Sequence, residues 1–576
     1  MDPKKAVERH RISEFGGIRT NARLSPTGAS DMRNFRILSD GSLEKRCGAR
    51  LRFYLTGSVR GAWDGVIEGK SYFFAVAGAS VYLLTQDDPV GSPAPIYVLP
   101  SDEGAVTFVT YDGRLYLCDG VSFFRFVPGL GTFIVAECYT PLYGKNWSPI
   151  GMGEVYEARN LLQNRIRIHY LNTSGETEFN LPYPAERIDC LRINGTTVKE
   201  FSFVTGSSRF QISNELAMEY GSVDVSFTLD PLYDRRTAIF KRTLVATYQD
   251  PHRETMVFGG GAIGYRLYYT KPVSDVQLLG CLSFHPESEP LYVPDGSSFS
   301  LGSTQHPITA ILQSGRQLLI FNSRTMWALR YPSQEVNIPT VLLLRAGIGC
   351  SSVGGALLCD SDVVTVQETG ITRIHFDPND PDLCTTESLS VPIANKLSQK
   401  MLTRAVLFWH RSAGELWVRD PNDSLGTVWI YSGNRKSWYA YAGLNATCLF
   451  ACFGTVGFGT RSGLLCLMDE ESNTDMGEPI EAWYESLYLE PEWPEAPRRI
   501  GRATLCADLN GNELELTVES EHEKQGFTLL GVNKSGAPRI FDCRLCLGRF
   551  RLLRYKLSAV GTARCRIHYL SILANN

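Results

Sequence analysis

Long apolar runs are missing from this 576-residue chain. The nearest approach to 18 apolar residues, Pro339 to Cys359, is broken by Arg345 and several glycines, so no membrane-spanning segment is expected. A chain-wide basic field is missing as well. The 57 Lys/Arg against 61 Asp/Glu give a net charge of −4, which argues against a protein that grips nucleic acid by charge. Helical signals are few, no heptad run is sustained, and the 52 glycines show no period of three. Coiled-coil and collagen-like classes are therefore excluded. The 15 cysteines are odd in number and the polar, basic N-terminus is unlike a secretory leader, so reduced thiols in a cytosol are expected.

Catalytic signatures are absent too. The nine histidines are dispersed, none stands in His-Glu-x-x-His, and no Gly-x-Ser-x-Gly elbow occurs. Gly65 to Ser71 (GVIEGKS) falls one residue short of a phosphate loop and runs into the strand-like YFFAV, where a phosphate would need a helix N-terminus. Gly259 to Gly264 (GGGAIG) also precedes a strand. The expectation is a protein without cofactor and without enzymatic activity.

What is present reads as strand. Apolar residues make up 43% and aromatics 11%, and runs of four to eight apolar or β-branched residues are punctuated by Asp-Gly, Ser-Gly, Gly-Asn and Pro. A unit of strand, tight turn and strand recurs at Val106–Phe126, Ala310–Arg330, Val363–Phe376, Leu407–Tyr431 and Val456–Met468, and more loosely at Gly65–Leu84. Its interval of roughly 40–50 residues is blade-like, and stacking such sheets about an axis buries their faces and protects their edges. The period breaks at about 146–248, where Asn194-Gly195 marks a hairpin, and again after about Asp469. The expected fold is all-β: a β-propeller with an inserted β domain and a C-terminal β-sandwich-like domain. The divisions are 1–60 (basic arm and first strands), 61–145 (propeller), 146–248 (insert), 249–470 (propeller) and 471–576 (C-terminal domain). Short helices are read only at 155–164, ambiguously, and at 394–402.

Cys543, Cys546, Cys565 and His568 form C-x2-C-x18-C-x2-H, four residues of the types that hold structural zinc. The flanking sequence alternates like a strand, so residues three apart face opposite sides, and no zinc is expected there. Asp377 to Asp382 (DPNDPD) is read as a proline-rich loop. Charge is unevenly placed. Residues 1–60 hold 13 Lys/Arg against 6 Asp/Glu, residues 469–497 hold ten acids and no base, and residues 541–568 hold seven bases and one acid. The opposite signs suggest complementary contacts between subunits.

Phe15 to Arg50 reads FGGIRTNARLSPTGASDMRNFRILSDGSLEKRCGAR: Gly-Gly, a polar run, Ser-Pro, a polar helix-like turn ending in Met-x-Asn, a strand, Asp-Gly-Ser-Leu and Lys-Arg-x-Gly. This resembles the N-terminus of the tail nozzle proteins of short-tailed phages, also called tail tubular protein B or packaged-DNA stabilisation proteins. Tyr265–Phe284, Arg345–Ser352, Gly370–Phe376, Asn434–Trp438 and Gly457–Leu467 look like propeller strands of that family. Cys47 stands where the family's turn has proline. The resemblance implies a virion structural protein, made in the bacterial host cytoplasm and placed in the virion tail. Its partners would be itself in a ring, expected to be a hexamer, a head-tail adaptor, tail fibre, spike or needle proteins, and genomic double-stranded DNA passing non-specifically through the lumen. The alternative is a receptor- or carbohydrate-binding, or glycan-cleaving, tail propeller. That reading needs carboxylates and aromatics converging at one mouth, with Trp327, Trp409, Trp417, Trp429 and Trp438 as stacking surfaces.

Overall fold

The computed structural model describes residues 7–22, 25, 27–173, 175–217, 221–236, 239, 244–260, 264–282, 289–489, 498–531 and 538–575. The chain is nearly all β, of β-propeller type, with an inserted β domain and a C-terminal sandwich. It divides into two compact units, residues 1–65, 72–95 and 350–576, and residues 66–71 and 96–349.

In the first unit, two antiparallel four-stranded meanders follow one another in sequence. One comprises Ala356–Cys359, Asp362–Gln367, Gly370–Phe376 and Cys384–Ser388; the next comprises Val406–His410, Glu415–Arg419, Val428–Ser432 and Ser437–Tyr441. A further sheet is built from Ala446–Cys452, Thr455–Thr460 and Leu464–Asp469, and its fourth strand is Gly48–Tyr54 from far upstream. The first strands of these three sheets lie side by side, as blades do. Middle strands are buried on both faces, Val428–Ser432 throughout, which is why they read as apolar runs without alternation. The hairpin Lys70–Ala77 to Ser80–Leu84 follows the strand Val59–Ile67. The phosphate-loop look-alike at Gly65–Ser71 is thus the turn between two strands.

The C-terminal sandwich has two sheets. One orders Phe35–Ile37, Leu43–Lys45, Arg566–Asn575, Arg498–Asp508 and Arg539–Phe550, with Val7–Ile12 also on Arg566–Asn575. The other joins Ala29–Arg33, Glu478–Ser486, Leu553–Gly561, Glu513–Ser520 and Lys524–Leu530. Leu553–Gly561 alternates buried and open positions, the pattern of a sheet with one wet face. Leu505, Leu516, Leu557 and Ile572, all fully buried, fill the space between.

In the second unit, three four-stranded meanders begin at Thr107–Tyr111, Leu244–Asp250 and Ile308–Ser314, and these first strands are neighbours. Asp112 and Gly113, both at positive φ, form the first hairpin's turn, as the Asp-Gly pair requires. The insert pairs Leu142–Trp147, Arg165–Asn172, Gly221–Leu229, Ala185–Ile193 and Thr196–Val198, with a smaller sheet of Glu178–Asn180, Arg209–Ile212 and Phe201–Phe203. Its Asn194-Gly195 turn is the hairpin read from sequence.

Several local readings are corrected. The residues before Met-x-Asn are not helix-like: Ala29–Arg33 is a strand on Glu478–Ser486. Among its described residues, the segment Tyr265–Phe284 is a strand only at Arg266–Tyr269; Pro272 then opens the helix Val273–Leu282, whose Val276 and Leu279 pack on Tyr139 and Tyr292. The short helix read at 394–402 is present as Gln399–Leu402, preceded by the 3-10 turn Val391–Lys396. The 1–60 segment is not an arm ahead of the body. From Val7 on it supplies strands to both sandwich sheets and to a blade, because its alternating apolar residues need a partner sheet to bury them.

Candidate functional site

The motif from Phe15 to Arg50 folds into a tie between blade and sandwich. Gly16 and Gly17 run so close to other backbone that a Cβ on Gly17 would sit 2.6 Å from the Trp438 carbonyl oxygen. Ile18 N–H donates to that same carbonyl at 2.8 Å, and Arg19 N–H donates to Ala29. Thr20 donates twice to the Pro392 carbonyl, through its N–H at 2.6 Å and its hydroxyl at 3.0 Å. The Ser25 hydroxyl accepts from Gly28 N–H, closing the turn read at Ser-Pro; Pro26 itself lies outside the described residues. Asp40 and Gly41 turn the hairpin that sets Ile37 opposite Leu43. Hydrogen bonds from Ser42 and the Arg566 guanidinium hold the Asp40 carboxyl down at about 2.

Much of the charge around the tie is paired inside the chain. Arg46 is fully buried and uses all five donors. Its Nε meets Asn34 Oδ1 at 2.9 Å, Nη1 meets the Cys47 carbonyl at 2.9 Å and Asp475 Oδ1 at 2.8 Å, and Nη2 meets Ala442 O at 3.1 Å and Asp475 Oδ2 at 2.5 Å. Arg36 bridges Glu44 at 2.8 Å and Glu470 at 3.0 Å, and Arg564 caps Glu44 from the other side. Arg50 pairs with Asp469 and Arg554 with Glu485 and Glu519. Lys45 points its ammonium at Asn512 Oδ1 and Gly561 O, and burial pulls its pKa down to about 8.

For these residues the opposite charges meet within one chain, which the sequence expectation of contacts between subunits did not include. Within the acidic stretch 469–497, Asp469, Glu470, Asp475 and Glu485 are met by Arg50, Arg36, Arg46 and Arg554 of the same chain. Glu490, Glu492 and Glu495 lie outside the described residues. Sequence reasoning gave the two signs but not that they close on each other; the signal available was their opposite charge and similar extent.

Two clefts border the tie. One, of about 280 Å³, is lined by Gly16, Gly17, Arg19, Arg435, Lys436 and Ser437 among others. The other, of about 420 Å³, lies among Thr20, Asn21, Ser30, Tyr488 and Arg554. Neither has a carboxylate in its lining, so neither offers the acid pair that glycoside cleavage uses. Glu415, a carboxylate set among aromatics, is engaged already by Tyr439, Trp417 and His410. Burial raises its pKa, but these donors outweigh it and leave the group below its ordinary value. In the second unit Glu157 goes the other way. It is buried, accepts from Tyr139 and Leu142 N–H, and burial leaves its pKa raised.

The tryptophans named as stacking surfaces do not converge on either cleft. Trp417, Trp429 and Trp438 are buried within a blade, with the Trp438 indole N–H on the Leu389 carbonyl at 2.7 Å. Trp327 and Trp409 are half-buried, and the Trp327 N–H is taken by Thr325.

The zinc-like set is split. Cys543 and Cys565 face the sandwich interior, Cys546 is exposed on the opposite face, and His568 Nε2 lies 2.8 Å from Asp508 Oδ2. Among the described residues no group of three or more His, Cys, Asp or Glu side chains is placed to hold a metal ion. Asp377 and Asp380 accept from the N–H groups two residues on, as loop aspartates do. No described helix is long and apolar enough to cross a membrane.

No family model matches the chain, and no curated protein does. Among solved structures, the exo-β-1,3-galactanase of Phanerochaete chrysosporium, with galactose and with β-1,3-galactotriose, aligns over 57% of this chain and 95% of its own at 8% identity, with a TM-score of 0.21. A likeness that low carries no functional inference.

Proposed function

We propose that the chain is a non-enzymatic structural subunit of a phage tail, forming the ring below the portal and adaptor through which packaged DNA is retained and ejected. The supporting observation is the use made of the Phe15–Arg50 motif. Its charged side chains Arg36, Asp40, Glu44, Lys45, Arg46 and Arg50 have partners within the chain, so most of the motif's described charge is spent on architecture. A net charge of −4 suits a conduit, since each phosphate gripped would add a salt-sensitive brake on ejection.

The alternative is a glycan-binding or glycan-cleaving tail propeller, the activity named for the galactanase. It would need an acid pair that the two clefts do not have. Native mass spectrometry of the purified protein separates the readings. The ring reading expects a discrete multiple of 64.1 kDa and no release of sugar from galacto-oligosaccharides. A monomer that hydrolyses them would replace it.

A further inference from the structure

The two outer faces of the C-terminal sandwich each hold a patch of one sign, and the two signs are opposite. On the sheet containing Val7–Ile12, Arg566–Asn575, Arg498–Asp508 and Arg539–Phe550, the outward row is Arg9, Leu573, Arg502 and Arg544, in direct cross-strand register. The next row is Arg11, Ser571, Thr504 and Asp542. Arg502 and Arg544 are exposed like charges set directly opposite each other, an arrangement that destabilises a sheet by itself. Asp542 is the one acid in these two rows, 3.9 Å from Arg502 and hydrogen-bonded by Thr504. Ile540, 58% exposed, adds an apolar contact beside them.

The other sheet turns out the row Glu481, Val560, Glu513 and Leu530, and then Trp483, Ser558, Glu515 and Thr528. Glu481, Glu513 and Glu515 are exposed, and none of the three forms an ion pair among the described residues. Val560 and Leu530, 44% and 63% exposed, lie between and beside them. Each patch therefore carries an excess of one sign beside open aliphatic surface, four arginines to one aspartate on the first and three glutamates on the second, with Lys556 following in its next row, and the signs are complementary.

From this we infer that the occupant of the arginine face is the glutamate face of a second copy of this chain. The two patches are different surfaces, so the contact is heterologous and propagates head to tail, closing when the rotation permits. Like-charge repulsion disfavours arginine face on arginine face, which fixes the direction. The inference deepens the ring reading above and rests on it only for closure. The contact itself follows from the charge layout.

The test is a charge swap, read by mass photometry and sedimentation at low and physiological salt. Arg502→Glu with Arg544→Glu, and separately Glu513→Lys with Glu515→Lys, should each weaken self-association at least tenfold while circular dichroism and melting temperature stay as in wild type. Mixing the two variants one to one should restore association, because each then presents the sign the other lacks. Self-association of either variant like wild type, or failure of the mixture to recover, overturns the surface assignment but leaves a ring formed by other surfaces standing. A wild-type chain that stays monomeric at low salt overturns both. Retention of a duplex DNA fragment at physiological salt, lost in the arginine variant, would make nucleic acid the occupant and overturn the inference.

Discussion

At the scale of single residues, a buried charge is costly to leave without its partner. Arg46 has no exposed surface, and its loss would leave the Ala442 carbonyl and Asp475 Oδ2 without the guanidinium donor and the Asp475 carboxylate with only the Ala49 N–H. Breaking a buried pair from one side costs about 3–5 kcal/mol. Arg46→Ala is therefore expected to lose that much in urea unfolding, and a loss under 1 kcal/mol would show the pair to be ornamental. Cys565 and Lys45 give a pH signature. Burial pushes the Cys565 thiol up to about 12 from 9.0, so it favours the folded state fully below pH 9 and loses that contribution as pH rises towards 12. Lys45 is depressed from 10.5 to about 8, so its contribution runs oppositely, rising with pH between those values. The stability difference between wild type and Cys565→Ala should shrink by up to about 1.4 kcal/mol per pH unit above 9. A constant difference from pH 8 to 11 would remove the thiol from the account. In the sequence, Arg46 was visible as part of Lys-Arg-x-Gly, but its partner Asp475 lies 429 positions away and no local pattern links the two.

At the scale of elements, turns and alternation were legible and chain-distant pairing was not. Asp112-Gly113, Asn194-Gly195 and Asp40-Gly41 all turn hairpins, because positive φ is local chemistry. The break in period after Asp469 is legible in the sequence, but the short connection from Arg539–Phe550 to Leu553–Gly561 and the strand Lys524–Leu530 are not. The helix Val273–Leu282 was read as strand because its apolar residues are too dense to show a period. The strand Gly48–Tyr54 shows what seating in the blade demands. A Cβ on Gly48 would lie 2.0 Å from the Thr474 carbonyl oxygen, backbone against backbone, with no flexible group to yield. Gly48→Ala should cost about 1–3 kcal/mol, as overpacking does. It should also raise hydrogen exchange at Ala49–Phe53 and at their partners Leu465–Met468. Unchanged exchange there would mean the strand does not close the sheet.

At the scale of the first unit, the route of the chain makes blade and sandwich one cooperative body. Ala29–Arg33 pairs with Glu478–Ser486 and also touches Ser437–Tyr441 at Arg33 and Ala440, so one short strand is shared by sandwich and blade. Phe35–Ile37 and Leu43–Lys45 then enter the opposite sandwich sheet, and Gly48–Tyr54 completes a blade. The apolar core is continuous across these elements, from Trp429 and Trp438 through Phe15, Met32 and Phe35 to Tyr484, Tyr555 and Leu557. A defect in the sandwich must therefore reach the blade. Leu557 is fully buried in the sandwich, and Leu557→Ala should cost about 2–5 kcal/mol. If the unit is one cooperative body, that loss will appear undiminished in the exchange of the slowest amides of Val428–Ser432, a strand buried throughout in the blade. Were those amides to keep their wild-type protection while Leu514–Val518 in the sandwich lost theirs, sandwich and blade would be independent. The N-terminal strands would then be a covering rather than a tie.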